Sequence, residues 1–480
     1  VADAAPGHDS DTHGKSVPFS VVGGAATGTV LQPLNATMIS IGTVAISVHF
    51  ASGESTSWVI SAMYIATAVC APMAGRFGAV FGARRVFVAG LALTGLGATI
   101  GMLAPSIGWL IAAYAVIGTG ISVHTPNAMT IIRGDGERHQ RSTRHAITAL
   151  VITGQSTAAL GPTLGGLLVG AFGWQAILWV NFPMVLLSAA AIMAVDVGDV
   201  GNRTGTAGGV AKTLRAFDLL GAVLFVATLT PTMFFLISLR GAPAWWVGLA
   251  ALVALAVFVA VELHVDDPFL HVRELRANAP LRWTLIRVVG VYVTFYLTFF
   301  GIPQWLQQVR GMTPTQAGLI MLPLASIGVV ATLGGTVIFR RFGARITLLA
   351  AGLALLGAGI GVTFFEKTSA PVWVLVVVAG ALGVPNGLYN IANQNLVNAA
   401  SSAEAVGMAI GMYRTMMFVG ANLAVAILAL ITGGRFDDAG MTRIGSVIIG
   451  VTVVLLLGAL VAPHLRGEAV RAEQDVPLAR

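Results

Sequence analysis

Charge is what this chain has least of. Only 10% of its 480 residues are Asp, Glu, Lys or Arg, whereas 56% are hydrophobic and the mean hydropathy is +0.85. A soluble domain carries about 25% charged residues, so no soluble fold of this length hides so much apolar surface. Cysteine is nearly absent too. The single Cys70 excludes an intrachain disulfide and a multi-cysteine metal site. The sequence also lacks a nucleophile–base pair, a cluster with metal-ligand spacing and a glycine-rich phosphate loop. An enzyme is therefore not expected, and neither a cofactor nor a metal is implied. The formal charge of +7 does not point to nucleic acid, because the basic residues lie in short connections between apolar runs, where they set topology.

Long runs with almost no charge are what the chain does have, and runs of 18 or more such residues read as membrane-spanning helices. Fourteen are expected: 18–48, 57–79, 84–104, 107–132, 146–170, 173–196, 216–240, 244–264, 281–308, 314–339, 345–365, 372–398, 404–432 and 443–464. The 58 glycines suit helices that approach closely in lipid. With the first segment placed inside, twenty Lys and Arg fall in inner connections and five in outer ones. That asymmetry predicts both termini in the cytoplasm. Residues 1–17 are polar and small and lack an apolar signal core, so a disordered tail is expected there.

One short turn occurs twice. The stretch GRFGAVFGARR holds Gly75, Gly82, Arg84 and Arg85, and its FGAR returns as Phe342–Arg345, 261 positions later. The same offset lays the first two spans on the ninth and tenth. The expected fold is thus an all-α integral membrane protein of two related six-helix bundles, 18–197 and 281–465. Between them, 198–280 supplies a linker, an inserted pair of spans and an amphipathic segment, and 466–480 is a second cytoplasmic tail. Such repeats build many transporters, with the substrate site between the halves near the midplane.

Several segments now carry a family likeness. GRFGAVFGARR, QPLNATMISI (Gln32–Ile41), GPTLGGLLVGAFGW (Gly161–Trp174) with NFP (Asn181–Pro183), DPFLHVRELRAN (Asp267–Asn278), NIANQNLVNAA and GMYRTMMFVGANL resemble the major facilitator superfamily. Within it they resemble the fourteen-helix drug:proton antiporter branch, over about 18–465. The resemblance implies a bacterial inner-membrane exporter of hydrophobic or amphipathic compounds, exchanging them for protons by alternating access and conferring drug or antibiotic resistance. Gly161, Pro162, Gly165 and Gly166 form the fifth-span signature. Physically they make a smooth face on which another backbone can lie closely, a seam about which the halves rock; ordinary glycine packing is the alternative.

Against that pattern the chain departs at four places. Asn35 stands where many such antiporters have an acid, Ala79 where the loop usually has Asp, Tyr114 where an Arg is usual, and Ile117 where Gln usually follows. An amide cannot carry a proton between states, so titrating groups are sought elsewhere. His124 is the first candidate, with a reference pKa of about 6.5; the alternative is a histidine bonded to a neighbouring helix. Glu262 is the second, with an interfacial role beside His264 as its alternative. Arg84, Glu404 and Arg414 are candidates for a gate at the inner surface. Glu404 also fits a helix capping box with Ser401.

A cavity is expected between the first and fourth helices of each half. Gln32, Asn35, Tyr114, His124 and Gln155 would contribute from the first half. Tyr292, Tyr296, Phe299, Asn386, Tyr389, Asn390 and Asn393 would contribute from the second, at helical spacings. Unpaired amides in lipid are costly, so these must face protein or a wet cavity. Such a site is neutral, amide-rich and aromatic, and suits an uncharged or weakly charged amphipath. Expected partners are that small molecule, protons and the bilayer, with the chain acting as a monomer. Two other readings stay open. A lateral apolar opening beside the inserted pair would favour a lipid-like substrate with little proton coupling, and a collapsed midplane would favour a non-transporting sensor or scaffold.

Overall fold

The computed structural model describes residues 17–194, 218–239, 242–265, 268–401, 406–433, 435–462 and 465. Its regular structure is helical: α1 Phe19–Phe50, α2 Ser57–Phe81, α3 Ala83–Met102, α4 Ile107–Ser122, α5 His124–His139, α6 Arg144–Phe172, α7 Ala176–Trp179, α8 Asn181–Ala194, α9 Leu219–Ser238, α10 Trp245–Glu262, α11 Val272–Ala277, α12 Ala279–Gln308, α13 Pro314–Phe365, α14 Val372–Ala399, α15 Val406–Thr432 and α16 Asp438–Val461. In lipid a backbone must satisfy its own polar groups, which helices do within one segment. Among the described residues, twelve helical segments are long and apolar enough to cross a membrane.

The boundaries differ from expectation in informative ways. The fourth span runs past residue 132 to His139, because α5 continues α4 with a break at Val123. Its end is held by Asp135, which is 2% exposed and pairs with His139 at 3.1 Å and Arg141 at 3.2 Å. The tenth and eleventh spans are one continuous element, α13, broken only at Gly343. That break is the second copy of the repeated turn. Gly82 has φ 91° and Gly343 φ 76°, left-handed values that favour glycine. Arg84 donates to Met193 O at 2.8 Å and Arg345 to Leu460 O at 2.7 Å. Each arginine thereby caps the last helix of its own half, satisfying a terminal carbonyl and opposing the negative end of the helix dipole.

The first half packs α1 against α6 and α8, and α3 against α4. The second packs α13 against α14 and α16, and α12 against α15. The halves meet where α6 lies on α13, α2 on α15 and α1 on α12. The α9–α10 hairpin leans on α15 and α2. Its outer face leaves Trp245, Trp246, Leu249 and Leu252 exposed, as a lipid-facing surface would.

Call the end carrying Arg84, Arg141 and Arg345 the basic end. At the opposite end the halves are joined by side chains of one half that donate to backbone carbonyls of the other. Thr163 donates to Gly318 O at 2.9 Å, Thr315 to Gly166 O at 3.1 Å and Gln307 to Ile41 O at 3.1 Å. The four-residue signature serves both sides of α6. A Cβ on Gly161 would meet Thr37 of α1 at 1.6 Å, and one on Gly165 would meet the Met38 backbone at 3.0 Å. One on Gly166 would meet Pro314 O of the other half at 2.4 Å, and the carbonyl of Pro162 itself lies 2.6 Å from where a Cβ on Gly318 would stand.

Candidate functional site

Two features lie between the halves. The first is an aromatic block. Tyr64 of α2 approaches Tyr296 at 5.3 Å, Phe418 at 5.8 Å and Phe300 at 6.2 Å, centroid to centroid. Phe295 and Phe299 stack at 5.3 Å beside them, and the Tyr292 and Tyr413 hydroxyls lie 3.4 Å apart. Aromatic pairs of this kind contribute about 0.5–1.5 kcal/mol each beyond area burial. The block therefore closes the centre with several such contacts.

The second is a cavity of about 530 Å³ on the basic-end side of that block. Met73 and Gly75 of α2, Ser122, Thr125 and Met129 of α4 and α5, and Met408, Met412 and Arg414 of α15 wall it, with Asp218 and Phe269–His271 at the foot of the inserted hairpin. Gly75 and Ile410 are exposed, so it opens there. Met73, Met129, Met408 and Met412 give it adaptable, polarizable walls. Arg414 brings a guanidinium beside the Tyr292 and Tyr413 phenols. That guanidinium makes no hydrogen bond or ion pair with another described residue.

The predicted site residues divide. Tyr292, Tyr296 and Phe299 enter the aromatic block. Asn386 and Tyr389 line only a small void of about 20 Å³ with Thr294 and Phe295, room for roughly one water. Asn393, 1% exposed, accepts from Arg287 Nε at 2.7 Å, and Asn390 accepts from Gln394. Gln32 is half-buried in α1 and Tyr114 is 1% exposed in α4; neither lines the cavity. Asn35 turns into its own bundle. Its Nδ2 donates to Asn181 Oδ1 at 2.6 Å, and Asn181 Nδ2 returns a bond to Asn35 Oδ1 at 3.1 Å. Tyr296, its counterpart at the repeat offset, reaches across to Tyr64 instead, so the two matched positions do not share one cavity.

His124 is fully buried against Phe87 of α3, ring centroids 5.1 Å apart, and neither ring nitrogen has a hydrogen-bond partner among the described residues. It does not face the cavity. Glu262 does not line the cavity either; it is buried behind Asp218, which does. Arg84 is engaged with Met193. Glu404 lies outside the described residues, as does the side chain of Gln155; Ser401 donates to Val397 O. Sequence reasoning missed Tyr64, Asn181, Arg287 and Asp218. Arg287 carried a signal, a charge inside a span, and Asn181 stood in the quoted NFP. Tyr64 carried none.

The reciprocal amide pair has a measurable weight. Asn181→Leu leaves the Asn35 carbonyl without its partner, and an orphaned buried polar group costs about 1–3 kcal/mol. Unfolding in detergent should show that loss, and the double variant Asn35→Leu/Asn181→Leu should recover much of it. Additive losses would contradict the pairing.

Comparison with known proteins places this architecture. The Major Facilitator Superfamily description matches residues 25–425. An uncharacterized MFS-type transporter of Bacillus subtilis, YwoD, is 31% identical over 88% of this chain and 92% of its own length. The tetracenomycin C resistance and export protein of Streptomyces glaucescens is 28% identical over 88% and 77%. Among solved structures, a bacterial homolog of the human lysosomal transporter Spinster, inward-facing and unoccupied, superposes with TM-score 0.64 at 13% identity, covering 95% of this chain and 98% of that one. The chain is a multi-pass membrane transporter of small molecules and not an enzyme, and it belongs to the Major Facilitator Superfamily.

Proposed function

We propose that this transporter exports hydrophobic or amphipathic compounds, drugs or natural products, in exchange for protons by alternating access. In this reading it crosses the bacterial cytoplasmic membrane fourteen times. The break at Gly343 makes two crossings of α13, and α6 is itself a crossing. Both termini lie in the cytoplasm, as the arginine asymmetry predicts, and the monomer is the working unit. The observation that carries the reading is the asymmetry of the seam between the halves. A Met-walled cavity opens at the basic end, while backbone contacts and the aromatic block close the other end. Loading from the cytoplasm and release outside follow if the halves rock about the α6–α13 seam. The resistance and export named for the Streptomyces relative support the substrate class.

Purified protein in proteoliposomes, given ethidium and other amphipathic dyes under imposed pH gradients of either sign, tests this. Transport should follow the gradient and reverse with it. Transport that ignores the gradient would refute proton exchange, and none for any amphipath would refute export. One observation favours a second reading. The cavity sits at the α2–α15 seam beside the inserted hairpin, where a lipid-like molecule would enter sideways. Transbilayer movement of a fluorescent phospholipid, without dye transport, would favour it.

A further inference from the structure

We propose that Asp218 and Glu262 form one shared-proton site at the foot of the inserted hairpin, and that this pair, not His124, exchanges the coupling proton with the cavity. The proposal rests on the proton-exchange reading and names its residues. Asp218 caps α9, with Oδ1 accepting from Gly221 N at 2.7 Å and Oδ2 from Phe269 N at 3.0 Å. Glu262 ends α10, and its Oε2 accepts from Leu270 N at 2.7 Å. Its Oε1 has no hydrogen-bond partner that meets ordinary geometry, although the residue is fully buried. Gly221 shows where that oxygen points. The place where a Cβ on Gly221 would stand is 2.2 Å from Glu262 Oε1 and 2.2 Å from Asp218 Oδ2. The two oxygens therefore face each other across a bare glycine, no further apart than those two distances end to end.

Two facing carboxylate oxygens are both acceptors when ionised. At about 4 Å, two like charges repel by roughly 4 kcal/mol at an effective dielectric of 20. One proton placed between them replaces repulsion with a hydrogen bond. The surrounding charges do not do this work. His264 is exposed and bonded to Ala260 O, and Arg273 donates to Val265 O. His271 and Arg414 lie on the cavity wall, and Glu274 on α11. Among the described residues neither acid makes an ion pair; the side chain of Arg76, and Asp266 and Asp267, lie outside those described.

Access comes through Asp218, which lines the cavity while Glu262 is sealed behind it. A proton leaving Glu262 Oε1 or Asp218 Oδ2 passes to cavity water, and one returning restores the bridge. The same two acids hold the amides of Phe269 and Leu270, which are part of the cavity wall. Losing the proton sets two charges against each other at the point where α9, α10 and that wall are tied. The state of the pair thereby bears on the shape of the cavity.

Infrared titration of the full chain in lipid, beside the isosteric Glu262→Gln and Asp218→Asn and the double variant, tests the shared proton. Either single variant should remove the same one carboxylic-acid band, and the double variant should remove no more. Proteoliposome transport of ethidium driven by a pH gradient should fall at least tenfold in both single variants, with thermal melts showing that they fold. A band untouched by Glu262→Gln, separate bands lost additively, or gradient-driven transport unchanged in both variants would overturn the proposal. If wild-type transport ignores the gradient, the exchange reading itself fails, and the infrared result still decides whether one proton is shared.

Discussion

Gly166→Val should cut transport at least tenfold while leaving the protein folded. The site is a contact between backbones of the two halves, since a Cβ there would lie 2.4 Å from Pro314 O and 3.2 Å from Gly318 Cα. No side chain stands by to swing away, so α6 and α13 must separate. Overpacking of this kind costs about 1–3 kcal/mol, and each 1.4 kcal/mol shifts a two-state balance about tenfold. The cost falls on the conformation closed at this end and not on the interior of either bundle. Dye transport should therefore drop at least tenfold, with the melting temperature changed far less than such a loss implies. Gly357→Ala, where nothing lies within 4 Å of the added Cβ, should behave as wild type. Normal transport by Gly166→Val would show that the α6–α13 contact need not re-form in the cycle.

Glu366 should make stability fall as pH rises, and Glu366→Gln should remove that fall. The residue follows α13 at the end opposite the arginine-capped turns. It is fully buried, and neither carboxylate oxygen has a partner among the described residues. Nearby cations are engaged elsewhere. Arg310 donates to the carbonyls of Lys367, Thr368 and Ala370, and Lys367 donates to Thr442 Oγ1 at 2.6 Å. Burial without a partner disfavours the ionised form and raises the Glu366 carboxyl from 4.5 to about 8. Between those values the folded protein holds a proton that the unfolded chain has released, so stability decreases with pH across that window. Below it the contribution is fully present, and above it the contribution is lost. At about 1.4 kcal/mol per unit, the full swing is on the order of 5 kcal/mol. Melts from pH 5 to pH 9 should show the wild type declining relative to Glu366→Gln. Parallel curves would mean that Glu366 is solvated or paired.

The sequence carried the periodic and local parts of this account. The two related bundles were legible from FGAR because Gly82 and Gly343 meet the same backbone demand, a tight reversal at positive φ, and local demands leave local traces. The close-packed signature was legible for the same reason. The site was less so, because helical spacing tells which residues share a face and not which neighbour the face meets. Asn386, Asn390 and Asn393 share spacing, yet they go to a small void, to Gln394 and to Arg287. Asn35 finds Asn181 across 146 positions, a pairing fixed only when α1 and α8 dock. Asp218 and Glu262 meet because the hairpin reverses and brings its two ends together. Tyr64 left no sign, since one tyrosine in an apolar run looks like any other.

In the proposed cycle the cavity between the halves, open at the basic end, faces the cytoplasm and receives the substrate. Single-cysteine labelling tests it most directly. In a Cys70→Ser background, Thr125→Cys places a thiol on the cavity wall. A membrane-impermeant thiol reagent should reach it from the cytoplasmic face of oriented vesicles, and a transported dye should slow the reaction. Labelling only from the outer face, or at a rate no transported compound changes, would contradict the account.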